Sequence, residues 1–138
     1  MSLYNIFGIA GSALSANSVM LNTTASNIAN AQSVSSSSGE TYRGKYPVFE
    51  TLYQNKLNKT MHSPGVKVTD IVDGNADPIR KHSPDHPMAD SDGFIYTANI
   101  NIIEEMANMI AASRSYQTNL QVATTAKQLL QRTLTLGQ

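Results

Sequence analysis

The residues best equipped for chemistry gather between positions 82 and 93: His82, Asp85, His86, Asp90 and Asp92. Imidazoles and carboxylates this close together could hold a metal ion. His82 and His86 are four apart, the spacing of two ligands on one helical turn, but Pro84 and Pro87 break the helix that would align them. Asp90-Ser91-Asp92-Gly93 matches the opening of a calcium loop, yet Asn101 stands where the closing glutamate belongs. Loop polarity is the simpler account, because Asp, Ser and Gly build turns. The chain has no cysteine, which removes disulfides, thiol catalysis and most zinc sites. No serine sits in a nucleophile elbow, and the three histidines have no triad partners. The expectation is no catalytic residue, no metal and no cofactor.

The elements around this loop are more informative than the loop. Residues 101–136 contain neither proline nor glycine, and as a helix they would span about 54 Å. Ile102, Met106, Met109, Tyr116, Leu120, Ala123, Leu130 and Leu134 recur at steps of three and four, a helical stripe. Asn101 is placed to cap the start, with Glu104 in the reciprocal position. Glu104 and Glu105 come first and Lys127 and Arg132 later, the order of charge that suits the helix dipole. Gly137 is the expected stop. A compact monomer of this size has a radius of gyration of about 14 Å, so such a helix needs an equally long partner or an assembly.

The other end of the chain supplies one. No charged side chain precedes Glu40. Phe7, Leu14, Leu21 and Ile28 recur every seven residues, and Ser, Thr and Asn fill the remaining faces, which predicts a helix over residues 3–30, about 42 Å long. Gly8 and Gly11 and the many Ser, Thr and Asn residues make it a weak helix alone. Small polar residues are expected to face outward and to suit close contact with neighbouring helices. Residues 32–39, rich in serine, read as a flexible linker. All five prolines lie between Pro47 and Pro87. Tyr46, Val48, Leu52 and Tyr53 suggest an extended segment near 42–53, residues 65–72 alternate as a strand ended by Asp73-Gly74, Ile79 sits in a short extended piece, and residues 90–93 turn toward Phe94-Ile95-Tyr96. The fold class expected is α+β, mainly α: long terminal helices packed as an antiparallel, coiled-coil-like pair around a small β-rich insert. The expected division is 1–32 (N-terminal helix), 33–41 (linker), 42–98 (insert) and 99–138 (C-terminal helix), the two helices forming one domain.

Ala25-Ser26-Asn27-Ile28-Ala29-Asn30-Ala31 resembles the N-terminal motif of bacterial flagellar axial proteins, those of rod and hook. Residues 1–7, the run Pro84-Asp85-His86-Pro87-Met88-Ala89-Asp90 with Gly93-Phe94, and the stretches 105–117 and 133–138 resemble the proximal-rod members. The likeness covers most of the chain and is weakest over 33–77. One departure is Thr97-Ala98-Asn99, where that family would place a proline before the last helix. The resemblance implies a structural subunit of the basal-body proximal rod, polymerising with other rod proteins into a drive shaft and export channel across the periplasm. It implies export by the flagellar type III apparatus without a cleaved signal peptide. The partners implied are the other proximal-rod proteins, the adaptor joining rod to MS ring, the distal rod, and further copies of the chain.

Several expectations stand beside it. Zero net charge gives no reason to expect nucleic acid, and no apolar run is long enough to cross a membrane. The N-terminus lacks the basic start and apolar core of a cleavable signal. Residues expected to pack between subunits are Phe7, Leu14, Leu21, Ile28, Met106, Met109, Arg114, Tyr116, Leu120, Leu130 and Leu134. Arg114 and Tyr116 read equally as a solvated arginine and a core tyrosine, or as contacts with a neighbour. Met88, Met106 and Met109 read as core or as an adaptable surface. The alternatives are another rod or hook subunit, a cytoplasmic helical adaptor that grips a partner helix in a groove, or an enzyme with an unrecognised site in 82–93. An adaptor needs a charged outer face, which neither helix supplies.

Overall fold

The computed structural model describes residues 3–52 and 65–136. Helix α1 runs Leu3–Asn30 and α2 Ile102–Leu136; between them lie β1 (Val34–Ser35), β2 (Lys45–Leu52), β3 (Gly65–Asp73), β4 (Ile79–His82) and β5 (Phe94–Thr97). The architecture is the expected one: two long helices pack together and a small antiparallel β-rich insert joins them. The expectations for Tyr53 and Gly137 lie outside the described residues.

Local chemistry explains the helix ends. The Asn101 side chain accepts the Ile103 amide at 3.1 Å and the Glu104 amide at 3.4 Å, satisfying two donors that have no partner within the helix. At the end of α1, Ser33 donates through both its amide and its hydroxyl to the Asn30 carbonyl. Along α2, Thr118, Asn119, Thr124 and Thr133 each donate to the carbonyl four residues back. Their polarity is thereby used on their own helix, which leaves its surface less polar than the composition suggests.

The chain divides into two compact units. One joins Met1–Leu21, Pro47–Asp70 and Ala111–Gln138; the other joins Asn22–Tyr46 and Ile71–Ile110. In the first, the Ser12 hydroxyl donates to the Ile9 carbonyl and accepts the Val66 amide, tying β3 to α1. Glu50 receives the Thr69 hydroxyl and pairs with Lys67 at 3.5 Å, so β2 and β3 are held by side chains as well as by their ladder.

In the second unit, β5 is the central strand of a three-stranded antiparallel sheet, ordered β1-β5-β4. Val34 faces Thr97 and Ser35 faces Tyr96 on one side; Ile79 through His82 pair with Thr97 back to Phe94 on the other. This revises the linker expected at 33–41. Ser35 and Thr41 are buried, and their hydroxyls lie 2.6 Å apart and within 3.0 Å of the Ser37 carbonyl, so one hydroxyl donates to that carbonyl and the other to its neighbouring hydroxyl. Serine composition alone cannot separate a solvated linker from a tight turn built on hydroxyl-to-carbonyl bonds.

The loop from β4 to β5 is held by its own acid. Asp90 accepts the amides of Asp92 and Phe94 at 2.9 and 2.8 Å. Gly93 adopts φ +77°, and a Cβ there would come within 3.1 Å of Pro84, so only glycine fits the turn comfortably. Arg80 lies 3.6 Å over the Phe94 ring, and His82 meets its edge. Asp90 and His82 are thus occupied structurally. Among the described residues no group of three or more His, Asp or Glu side chains is arranged to hold a metal ion.

Candidate assembly surface

On α2 the positions turned inward are Glu105, Met109, Ala112, Tyr116, Asn119, Ala123, Ala126 and Leu130, all buried or half-buried. Their spacing alternates four and three, a heptad seam. On α1 the corresponding series is Ile6, Ile9, Ala13, Ala16, Met20, Thr23, Asn27 and Asn30, again buried or half-buried. The helices are antiparallel within each unit. In the first, Asn17 donates to the Ser115 hydroxyl at 3.2 Å, while Tyr4 and Phe7 lie beside Lys127 and Leu130. Small side chains at Ala10, Ala16, Ala112 and Ala126, all buried, give little bulk to keep the backbones apart.

In the second unit the seam becomes polar. Asn27 is 1% exposed and Glu105 3%. Asn27 makes four hydrogen bonds: its oxygen accepts the Lys45 amide at 2.7 Å and the Tyr42 hydroxyl at 3.0 Å, and its nitrogen donates to the Lys45 carbonyl at 3.0 Å and to Glu105 at 3.2 Å. That is the full capacity of a carboxamide. The Tyr46 hydroxyl also hydrogen-bonds to Glu105. Glu105 lies in the first turns of α2, where the helix dipole favours negative charge. Burial pushes the Tyr42 phenol above the ordinary tyrosine value of 10.0, helped by the charges of Asp73 and Glu105. Tyr46 is raised chiefly by burial too, then by Glu105 and Glu104. Among the described residues no buried side-chain nitrogen or oxygen lacks a partner.

The outward faces of the helices carry large apolar side chains among polar and charged ones such as Glu104, Arg114, Lys127 and Arg132. In the second unit Ile103, Met106 and Ile110 lie three and four apart, with Ile103 79% and Met106 52% exposed. In the first, Leu120, Val122, Leu129 and Leu134 are exposed on α2, and Tyr4 and Phe7 on α1. Two open grooves flank the helix pair there. One, of about 270 Å³, runs between Tyr4, Phe7, Lys127 and Leu130; the other, of about 370 Å³, between Ile6, Val122 and Leu129.

The residues expected at subunit contacts therefore divide. Met109, Tyr116 and Leu130 lie in the seam, half-buried; Leu14, Leu21 and Ile28 are also half-buried. Phe7, Met106, Arg114, Leu120 and Leu134 are exposed. Within Ala25-Ser26-Asn27-Ile28-Ala29-Asn30, only Asn27 is buried; Ala25, Ser26 and Ala29 face out. The expected stripe on α2 mixed two neighbouring faces, because steps of three and four are satisfied by either. The expectation that small polar residues of α1 face outward is revised, since Thr23, Thr24 and Asn27 are buried. Glu105 is in the seam as well as in the first turns of α2, and the Ala112 and Ala126 spacing is the sequence sign that it belongs there.

Two family models match the chain. The one described as "Flagella basal body rod protein" covers residues 7–34, and "Flagellar basal body rod FlgEFG protein C-terminal" covers residues 91–136. The chain is 47% identical to the flagellar basal-body rod protein FlgC of Yersinia enterocolitica, over 138 residues and the whole of both chains. It is 44% identical to FlgC of Escherichia coli O157:H7 and 43% to FlgC of Salmonella typhimurium strain LT2, each over the full length of both. Among the described residues no helix is long and apolar enough to cross a membrane.

Proposed function

The chain belongs to the flagellar basal-body rod family of FlgC proteins and is a structural subunit of the rod, and we propose that it is built in by its helices. The family is structural rather than an enzyme class. The observation that carries the proposal is the set of large apolar side chains left on the outer faces of the helices, with Phe7, Met106, Leu120 and Leu134 exposed. Large apolar side chains exposed on a helix face mark a contact site. Phe7, Met106, Leu120 and Leu134 are the residues covered by neighbours; Leu14, Leu21, Ile28, Met109, Tyr116 and Leu130 set the shape of the pair presented to them. Arg114, also exposed, donates to carbonyls of a neighbouring subunit.

The finer reading follows from kinship. The subunit belongs to the proximal rod, where the stacked helices form a drive shaft around the export channel. Its neighbours are the other proximal-rod proteins, the adaptor to the MS ring, the distal rod and copies of itself. The rod crosses the periplasm, and the chain reaches it through the flagellar type III apparatus. Residues 1–32 and 99–138 serve as the axial domain and 42–98 as its outer insert. Full-length kinship leaves no observation favouring a cytoplasmic adaptor.

A photo-crosslinking amino acid at Met106 or Leu120, introduced in motile cells, tests the assignment. The expected result is covalent adducts with rod proteins or with a second copy of the chain in purified basal bodies. Basal bodies that contain the labelled chain but yield no adduct from either position would overturn it.

A further inference from the structure

We propose that the Asn27–Glu105 pair is the register lock of the helix pair: a buried carboxamide–carboxylate contact that selects which turn of α2 lies beside the end of α1. The proposal concerns the chain itself and does not depend on its place in the rod. Most of the seam is permissive. Ala13, Ala16 and Met20 on α1 and Ala112, Ala123 and Ala126 on α2 are small or adaptable residues at heptad spacing. A slip of one heptad exchanges small-against-large neighbours, such as Ala16 with Tyr116, for Ala16 with Ala123 or Met109, which alters packing but strands no buried charge. Asn27 and Glu105 do discriminate. In a slipped pair Asn27 faces Ala112 or lies beyond the start of α2, and Glu105 faces Met20 or leaves the seam. A buried carboxamide then loses a partner, and a buried carboxylate loses its donor.

The surrounding contacts reinforce one answer. The Asn27 oxygen is already held by the Lys45 amide and the Tyr42 hydroxyl, which fixes its nitrogen toward Glu105 at 3.2 Å. The Tyr46 hydroxyl meets the same carboxylate. Three separate segments, α1, residues 42–46 and α2, thus converge on one pair. A buried polar contact in a helix seam is the best-attested way for coiled-coil helices to specify register, and among the described residues Asn27–Glu105 is the one that buries a carboxylate.

The chain has no cysteine, so engineered thiol pairs report register directly. Asn17 and Ser115 touch; a slip of one heptad brings Asn17 beside Asn108 or Val122 instead. In the full-length purified chain, the pair Asn17→Cys/Ser115→Cys is expected to link, and Asn17→Cys with Asn108→Cys or with Val122→Cys is not. Adding Asn27→Asp sets carboxylate against carboxylate. The native-register product should then fall at least about tenfold relative to the slipped products. Adding Glu105→Gln to Asn27→Asp re-forms the cross-helix contact with donor and acceptor exchanged, leaves the Lys45 carbonyl without its Asn27 donor, and should restore the native product in part. The proposal is overturned if the parent pair does not link, or if Asn27→Asp leaves the native product unchanged. It is overturned equally if Asn27→Asp abolishes linking without raising a slipped product, or if adding Glu105→Gln restores none of the native one.

Discussion

Replacing Leu120 by aspartate separates folding of the chain from its assembly. Leu120 is 48% exposed and lies outside the α2 seam. Complete withdrawal of a leucine from water contributes about 1.5–3 kcal/mol, so covering the remaining half on assembly is worth about 0.7–1.5 kcal/mol. Aspartate forfeits that and leaves an unpaired carboxylate in a dry contact, a cost on the order of 3–5 kcal/mol. Together these weaken each subunit contact by roughly three to four orders of magnitude, at about 1.4 kcal/mol per factor of ten. In the isolated chain the carboxylate reaches water, and the change in helix propensity is only about 0.5 kcal/mol. Leu120→Asp should therefore be made in normal amount and stay soluble, with its thermal midpoint nearly unchanged, while cells lack hooks and do not swim. Ser38→Asp, at an exposed turn position, is the matched control and should swim; Ser36 is half-buried beside the buried Ser35 and is less suitable. Motility assays and immunoblots of isolated basal bodies read the outcome. Complete hooks in Leu120→Asp cells would refute the reasoning.

Asn101→Ala removes the cap of α2 and should cost about 1 kcal/mol, lowering the thermal midpoint of the chain by about 4 °C, as read by circular dichroism. Gly93→Ala forces a side chain into a left-handed turn against Pro84 and should lower stability to urea by about 1–2 kcal/mol. Tyr42 and Tyr46 ionise above the ordinary value of 10.0, so their contribution to stability is fully present below pH 10.0 and is lost as pH rises through their folded values. Absorbance titration at alkaline pH should show two late-titrating phenols, and Tyr42→Phe/Tyr46→Phe should remove that late phase.

The helices were legible because their signals are long and uninterrupted: no proline or glycine over 101–136, an asparagine cap, and a seven-residue repeat from Phe7 to Ile28 within a charge-free N-terminal stretch. The strand at residues 65–73 declared itself by alternation and the Asp73-Gly74 turn. β1 did not, since two residues carry no period and their serine context resembles a linker. The faces of the helices were only partly legible. Apolar residues at Met106, Met109, Leu120 and Ala123 satisfy more than one stripe, and only the partner helix decides which turns inward. Asn27 stood out as part of a motif, but its partners come from residues 42–46 and from Glu105, far apart in sequence and joined only by the fold.

The central claim is that the outer faces of α1 and α2 are covered by neighbouring subunits. Imaging the native basal body with side chains resolved tests it most directly. The expected image places Phe7, Met106, Leu120 and Leu134 against helices of adjacent rod subunits. An image in which these four side chains face open solvent, while contacts run through residues 42–98 instead, would contradict it.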